Sequence, residues 1–254
     1  MFKYASAFGT AKANNKTFLV VEQKNFSFPL YRIFNISAPS IISLGNVDHT
    51  ELKEKSCCRF NIATLNLPCN KSYSMKGYLQ SFLYFWNFKE AAISQAVNKS
   101  LRNVKNATTV TDCTLIGVHL RRGDFLRSIY VKFGYIPAKV SYLLRAIAYF
   151  RRKFAKKNCL RFLVLGNDEK WNRQSLANQN SDDIIIMEMR EPAVDLCILA
   201  SCHHNAISTG TFGYWAALLS GGHVTYQKEL CRPGSMLCKL YNVKQYFLPN
   251  WIPL

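Results

Sequence analysis

The stretch LIGVHLRRGD, residues 115–124, joins a largely apolar run to a strongly basic loop. Leu115–Leu120 has the length and composition of a strand in a sheet that is covered on both faces. Similar runs follow at Phe162–Leu165, Ile184–Met187, Ala206–Ser208 and His223–Tyr226. Helical patterns lie among them, over Ala138–Phe154, Ala193–Ser201 and Phe212–Leu219. The alternation predicts an α/β fold in which a Rossmann-like parallel sheet carries helices on both faces.

The first part of the chain has a different texture, with irregular apolar spacing. Residues 3–14 are Ala-rich and predict a helix, Phe18–Val21 predicts a short strand, and Lys89–Val104 predicts a second helix. We therefore predict two lobes, an N-terminal one over residues 1–110 and a C-terminal one over residues 111–254.

Charge narrows the class of partner. The 254-residue chain has 33 Lys+Arg and 15 Asp+Glu, a formal net charge of +18 that favours anionic ligands. No nucleic-acid-binding motif is present, and most aromatic residues lie within apolar runs, so nucleic acid is disfavoured. The densest basic run, Arg145–Arg161, has helical spacing and is typical of a solvated helix face. Polyanion binding remains an alternative that rests on charge alone. No apolar run approaches the roughly 18 residues of a membrane span.

Sequons and cysteines point to a compartment. Six Asn-x-Ser/Thr sequons all lie before residue 110, at Asn15, Asn25, Asn35, Asn70, Asn98 and Asn106. Their clustering favours glycosylation in the lumen of the secretory pathway, where disulfides also form. None of the nine cysteines has a C-x-x-C zinc spacing. His203 and His204 beside Cys202 are the only metal-like cluster, but adjacent side chains point apart, so we interpret these histidines as structural.

Three loops follow predicted strands, at the edge where parallel sheets bind ligands. The first contains Arg121, Arg122 and Asp124. A pair of arginines suits a diphosphate, because each guanidinium binds two oxygens in a fixed plane. The alternative is a solvated turn with a local Arg–Asp bridge.

The second and third loops offer complementary groups. Asn167 and Asp168 form either an Asx turn with a helix cap or a pair that contacts a base or ribose. The third loop leads a strand into a helix and combines small residues with hydroxyls: Ser208, Thr209, Gly210, Thr211, Phe212 and Gly213. Its backbone N–H groups make either an anion site or a simple N-cap. Together the loops suit a nucleoside diphosphate. Because there is no Walker loop and no Asp-x-Asp pair, we expect the arginines and the helix terminus to replace a metal, and we expect no further cofactor.

Several sequence motifs resemble those of one known family. His119–Asp124 resembles the His-x-Arg-Arg-x-Asp signature of α1,2-fucosyltransferases, glycosyltransferase family 11. Ser208–Ala217 is similar to the T-G-T-F-G-x-W-A-A block of that family, with Gly221-Gly222 at the usual distance. Weaker matches occur in family order at Gly77–Ser81, at Phe162–Asp168 with Trp171, and at Phe247–Trp251.

The resemblance implies a GT-B type fold and metal-independent, inverting transfer of fucose from GDP-fucose to a hydroxyl of a galactose-containing glycan. It implies that Arg122, with Arg121 and the N–H groups of Thr211–Gly213, stabilises the charge that develops on the diphosphate. Asn167 and Asp168 would face the nucleoside. The proton acceptor stays open between His119 and Asp124.

The resemblance also implies a type II Golgi protein whose membrane anchor lies before Met1. The family carries a glycine-rich G-x-x-G-N-Q turn that would directly precede Met1. Because this turn is not in the sequence, a catalytically inactive relative that binds a glycan or a protein partner is the alternative.

Overall fold

The computed structural model describes residues 1–21, 40–41, 47–88, 113–179 and 181–254. The chain forms two compact units. One comprises Met1–Lys99 and Leu240–Pro249, and the other comprises Ser100–Lys239 and Asn250–Leu254. The predicted division at residue 110 and the helix predicted over Lys89–Val104 lie outside the described residues.

Segment Leu240–Pro249 differs from the prediction, which placed it in the C-terminal lobe. It packs in the first unit because its aromatic side chains are buried there. The ring of Tyr246 stacks on that of Phe2 at 5.7 Å between centroids, and the N–H of Phe60 donates to Gln245 Oε1 at 2.8 Å. These partners are far away in sequence, so local patterns gave no sign of the pairing.

The first unit begins with the predicted Ala-rich helix, here α1 (Phe2–Ala13), whose aromatic residues are buried. Its strands form two parallel pairs, β1 (Val20–Val21) with β2 (Ser40–Ile41) and β3 (His49–Lys53) with β4 (Ser72–Lys76). Strands β3 and β4 were not predicted because their sequences, HTELK and SYSMK, are mostly polar and contain no buried residue.

The second unit is built on a six-stranded parallel sheet in the order β10-β9-β8-β5-β6-β7. The strands are β5 (Thr114–Leu120), β6 (Leu160–Gly166), β7 (Ile184–Ile186), β8 (His204–Ile207), β9 (Val224–Tyr226) and β10 (Ile252–Pro253). The helices are α2 (Ser128–Phe133), α3 (Val140–Lys153), α4 (Glu169–Leu176), α5 (Pro192–Ser201), α6 (Thr211–Ser220) and α7 (Met236–Leu240); α8 (Val243–Tyr246) belongs to the first unit. Every predicted strand and helix from residue 115 onward is present, within a few residues of its predicted bounds. Helices α2, α4, α7 and α8 and strand β10 were not predicted.

Helices cover both faces of this sheet, as predicted. Alternate residues of a strand point to opposite faces. Ile116 and Val118 of β5 share a fully buried cluster with Leu143 and Phe150 of α3. On the opposite face, Gly117 lies against Leu199 of α5. The sheet is therefore the middle layer of three.

Two disulfides hold the second unit. Cys113–Cys159 joins the residues that precede β5 and β6, and Cys231–Cys238 links the segment after β9 to α7. The remaining five cysteines are free thiols. Within the part of the chain that the structure describes, no helix has the length and apolarity needed to span a membrane.

Candidate functional site

The three predicted loops lie side by side. They follow β8, β5 and β6, which are neighbours in the sheet, and all strands run in the same direction. Their carboxyl ends therefore bring Arg121–Asp124, Asn167–Asp168 and Ser208–Gly213 to one edge, as the sequence predicted.

Arg121 is fixed within its own loop. Its Nε and Nη2 donate to the two carboxylate oxygens of Asp124 at 3.2 and 2.7 Å, and the guanidinium carbon lies 4.7 Å from the ring centre of Phe125. The local Arg–Asp bridge considered for this loop therefore exists. The side chain of Arg121 also runs beside Gly210, where an added Cβ would lie 3.0 Å from Arg121 Cδ. The bridge thus holds a cation beside the start of α6.

The side chain of Arg122 makes fewer hydrogen bonds than that of Arg121. Its Nη1 donates to the carbonyl of Ala138 at 3.2 Å, its Nε lies 3.5 Å from Asp168 Oδ2, and its guanidinium stacks 4.6 Å from the ring centre of Trp171. Nε is buried and makes no hydrogen bond to any of the described residues. The planar head is therefore held in one orientation while part of its donor capacity remains unused.

Asn167 braces the arginine loop. Its Oδ1 accepts the backbone N–H groups of Arg122 at 2.8 Å and Gly123 at 3.0 Å, and its Nδ2 donates to Asp124 at 2.9 Å. The side chain contacts the first loop through all three bonds. The structure thus gives Asn167 a scaffolding role within the site.

Asp168 caps helix α4. Its side chain accepts the N–H of Trp171 at 3.1 Å, and its other oxygen faces Arg122. Of the two interpretations of this loop, the cap is what the structure shows, because the free N–H groups of a helix start need an acceptor. Asp168 also orients Arg122 through the ion pair.

The third loop is anchored by its hydroxyls. Ser208 and Thr209 are almost fully buried; the hydroxyl of Ser208 accepts the N–H of Arg121 at 2.8 Å, and that of Thr209 donates to the carbonyl of Ile136 at 3.2 Å. Both residues hold the loop in place, which leaves Gly210 and Thr211 at its partly exposed tip.

Helix α6 starts without a side-chain cap. Its N-cap residue is Gly210, at φ +117°, which has no side chain to cap the first turn. The N–H groups of Thr211, Phe212 and Gly213 therefore lack the acceptor that a capping side chain provides, and such a helix start attracts anions. The neighbouring cation, Arg121, adds to the same positive potential.

His119 lies under the first turn of α6. Burial, followed by the charge of Arg121, lowers its pKa to about 3, so the imidazole is neutral near pH 7. Its ring packs 5.0 Å from that of Phe212 and against Gly213. This environment makes His119 a weak base.

Asp124 is ionised. Partial burial opposes its charge, but the hydrogen bonds from Arg121 and Asn167 outweigh that effect and lower its pKa below the ordinary value. Both oxygens of this carboxylate already accept hydrogen bonds. Asp124 too is therefore a weak base, and its contacts give it an orienting role.

A fourth loop belongs to this edge and was not predicted. Gln227 directly follows β9 and is buried; its Oε1 accepts the N–H of Lys139 at 3.0 Å, and its Nε2 donates to the carbonyl of Pro137 at 3.3 Å. Residues 135–139 in turn hold Arg121 and Thr209 through backbone groups. The position of Gln227 at a strand end was the available signal.

The histidine pair is structural, as interpreted. His203 Nδ1 accepts the N–H of Leu115 and His204 Nδ1 accepts that of His223, both at 3.0 Å. Across the ranges given above, no group of three or more His, Cys, Asp or Glu side chains has the arrangement needed to hold a metal ion.

Two of the six sequon asparagines fall in the described part of the chain. Asn15 and Asn70 are both exposed. Asn25, Asn35, Asn98 and Asn106 lie outside the described residues.

Comparison with known proteins supports the resemblance seen in the motifs. The chain is 34% identical over 141 residues to galactoside alpha-(1,2)-fucosyltransferase 1 of Sus scrofa, which covers 55% of this chain and 38% of that protein. It is 27% identical over 268 residues to the protein of the same name from Leontopithecus chrysomelas, covering 99% and 71%. An Arabidopsis thaliana FUT1 mutant solved in complex with GDP has a TM-score of 0.50 at 12% identity, covering 92% of this chain and 71% of that one. This likeness confirms the GT-B-like α/β fold.

The family assignment rests on a broader match. The model of glycosyl transferase family 11 matches residues 48–254, which include all three loops of the site. The chain belongs to glycosyl transferase family 11.

Proposed function

We propose that the chain transfers fucose from GDP-fucose to a hydroxyl of a galactose-containing glycan, in α1,2 linkage, with inversion and without a metal. Family membership supports glycosyl transfer, and the names of the relatives support the donor sugar and the galactoside acceptor. The arrangement of the arginine loop carries the proposal, because Arg122 is held in one orientation and Arg121 lies beside the uncapped start of α6.

The donor site would work by charge complementarity. A diphosphate placed at this edge would meet the guanidinium of Arg122 and the first-turn N–H groups of α6. Breaking the bond between fucose and phosphate leaves a growing negative charge on the diphosphate, and fixed donors stabilise that charge without reorganisation. Arg121 is already paired with Asp124, so it would add positive charge near the diphosphate without binding it directly. These groups supply the charge that a metal supplies in other transferases, which is why we propose a metal-independent reaction.

The acceptor proton has a minor role in this scheme. The two candidate bases, His119 and Asp124, are both weak, and both are engaged in holding the site. A transition state of oxocarbenium character needs little help from a strong nucleophile. We therefore assign Asp124 and His119 to positioning Arg121 and α6, and we place most of the rate enhancement on the departure of GDP.

Disulfides and glycosylation sites support a proposal for the compartment. Two disulfides and exposed sequons at Asn15 and Asn70 are consistent with folding in an oxidising lumen where asparagines are glycosylated. We propose the Golgi lumen, with attachment to the membrane through an N-terminal anchor as in a type II protein. Digestion with an N-glycosidase should shift the mass of the chain produced in eukaryotic cells, and unchanged mass at every sequon would count against this location.

Calorimetry of GDP binding tests the donor site directly. We expect binding at moderate salt that is unchanged by a chelator of divalent cations, and turnover of GDP-fucose with a galactoside acceptor. NMR of the product should show an α1,2 linkage. Absence of GDP binding would refute the donor site, whereas binding without turnover would favour an inactive, glycan-binding relative.

The Arg122→Ala variant locates the site. Loss of charge-assisted hydrogen bonds to a diphosphate should weaken GDP binding by roughly 10- to 100-fold. Stability should change by about 1 kcal/mol or less, because Arg122 is partly exposed and its ion pair with Asp168 is long. Arg127→Ala is the matched control, since Arg127 is exposed on the same loop and should leave affinity unchanged. Equal effects of the two variants would contradict the proposed role.

A further inference from the structure

Cys57 and Cys58 are adjacent in the first unit, and their sulfurs touch. The two Sγ atoms lie 2.8 Å apart although the thiols are not bonded to each other. Both thiols also point at one acceptor, Gln80 Oε1, at 3.3 Å from Cys57 and 3.6 Å from Cys58. Two donors therefore share one carbonyl oxygen, and the side chains converge where neighbouring residues usually diverge.

The backbone holds them in this arrangement. Cys58 has φ +61°, a left-handed conformation that a non-glycine residue rarely adopts, and it is completely buried. Such a conformation persists only where the surroundings impose it. Cys57 is partly exposed. One sulfur is thus fixed inside the unit, while its partner remains open to a reagent from solvent.

We infer that Cys57 and Cys58 are a redox site and that they close a vicinal disulfide under oxidising conditions. The same chain already contains two disulfides, Cys113–Cys159 and Cys231–Cys238, so conditions that form these also act on the pair. Because the two sulfurs are already in contact, the disulfide can form without a large movement of either side chain. The inference is independent of the proposed transferase activity.

The reaction balances with a small-molecule disulfide as the oxidant. The thiolate of Cys57 attacks that disulfide, which breaks its S–S bond and releases one thiol. The sulfur of Cys58 then attacks Cys57 in the mixed disulfide, loses its proton and displaces the second thiol. The two cysteines are oxidised by two electrons, and the reagent is reduced to two thiols. Burial, reinforced by the hydrogen bond and charge of Cys57, raises the pKa of the Cys58 thiol, so Cys57 is the sulfur that reacts first.

This bond would be more labile than the other two. Adjacent Cα atoms are about 3.8 Å apart, whereas most disulfides join Cα atoms 4.4–6.8 Å apart, so the ring of a vicinal disulfide is strained and easily reduced. Oxidation also removes both S–H donors from Gln80. That residue lies in the turn Gly77–Ser81, whose backbone N–H groups at Tyr78 and Leu79 are held by Glu54 Oε2 at 2.7 and 2.9 Å. The redox state of the pair would therefore be transmitted to this turn.

Thiol counting by mass spectrometry tests the inference. The full chain is equilibrated with glutathione buffers of different oxidised-to-reduced ratio, denatured without reductant, alkylated and digested with trypsin. Cleavage after Lys55 and Arg59 isolates both cysteines in the tetrapeptide Ser56–Arg59. We expect five alkylated cysteines per chain under mildly reducing conditions and three under oxidising conditions, with the tetrapeptide lighter by two hydrogens and unalkylated. The other two disulfides should persist throughout.

Two variants separate this pair from general thiol oxidation. In Cys57→Ser, Cys58 should stay alkylatable at every glutathione ratio. Cys69→Ser removes an exposed free thiol outside the pair and should leave the transition of the tetrapeptide unchanged. The inference is overturned if both cysteines remain alkylated while Cys113–Cys159 stays intact, or if either is found bonded to a different cysteine.

Hydrogen exchange tests the connection to the turn. In the wild-type chain, amide exchange at Leu79–Ser81 should be at least severalfold faster in the oxidised form than in the reduced form, because Gln80 has lost two partners. Amides in α6 should exchange equally in both forms. Identical exchange at the turn would show that the disulfide forms without affecting it, which would overturn the transmitted effect.

Discussion

Arg121 and Arg122 are adjacent, yet their surroundings give them different roles. Asp124 occupies two donors of Arg121, whereas Arg122 is held by stacking on Trp171 and by the Ala138 carbonyl and keeps a buried Nε without a hydrogen bond. The family resemblance favoured Arg122 as the larger contributor, but the residue pattern alone did not distinguish the two arginines, because the distinguishing contacts come from side chains elsewhere on the chain. Asn167 provides the sharpest test of this arrangement at the residue scale.

Replacing Asn167 with Asp keeps an acceptor for the N–H groups of Arg122 and Gly123 but places a second carboxylate against Asp124. Like charges at this distance raise the pKa of one of the two carboxyls. GDP affinity measured by calorimetry should therefore fall near pH 7.5 and recover partly near pH 5.5, where a protonated carboxyl again donates. Asn167→Ala should lose affinity without any recovery. Parallel pH profiles for the two variants would show that the amide does not act through Asp124.

At the scale of elements, the start of α6 is placed by contact with β5. Gly213 is helical, so alanine there would normally favour the helix by up to about 1 kcal/mol. Its Cβ, however, would lie 2.7 Å from Nδ1 of His119, which is buried and cannot move aside. Gly213→Ala should therefore destabilise the protein by about 1–3 kcal/mol in chemical denaturation and weaken GDP binding by shifting the helix start.

A double-mutant cycle identifies the cause of that loss. His119→Ala makes room for the added methyl group, so Gly213→Ala should cost clearly less in that background. An equal cost in both backgrounds would show that the penalty has another source. The motif predicted that a helix starts here. It did not predict that the imidazole of His119 sets the distance between the start of α6 and the sheet.

At the scale of the whole molecule, acid stability depends on two histidines with lowered pKa values, buried His119 and, at the opposite edge of the sheet, His204. Burial, followed by the charges of His223, His203, Lys153 and Lys157, lowers the pKa of His204 to about 4. The unfolded chain, with a histidine pKa near 6.5, binds more protons between these values, so stability falls as pH drops from 6.5 towards 4. His204 is only partly buried, so its share should be about 1 kcal/mol in urea denaturation at pH 7 and pH 5.

His204→Phe retains the stacking on Phe154, whose ring is 4.4 Å away, and removes the titrating group. This variant should show a shallower loss of stability with acid than the wild type. His49→Asn changes an exposed histidine and should preserve the wild-type slope. If His204→Phe also preserves it, the acid sensitivity arises elsewhere, and buried His119 becomes the next candidate.

Elements with a local apolar pattern could be predicted from the sequence, whereas elements that depend on contacts between distant segments could not. Leu115–Leu120 and the runs that form β8 and β9 are buried on both faces, and the alternation of apolar runs with helical patterns indicated the parallel sheet and its ligand-binding edge. Strands β3 and β4 have little buried surface and left no pattern. Gln227 and the return of Leu240–Pro249 to the first unit depend on contacts between distant segments, which single-sequence periodicity does not record.

That return has a consequence for biosynthesis. The first unit needs Leu240–Pro249 to complete its packing, and these residues leave the ribosome only after the whole parallel sheet except β10 has been made. The second unit can therefore acquire most of its structure during translation, while the earlier-synthesised aromatic surface around Phe2 waits for Tyr246. Through that interval the nascent chain exposes the apolar surface around Phe2, so chaperones would be needed most by the unit that is synthesised earlier.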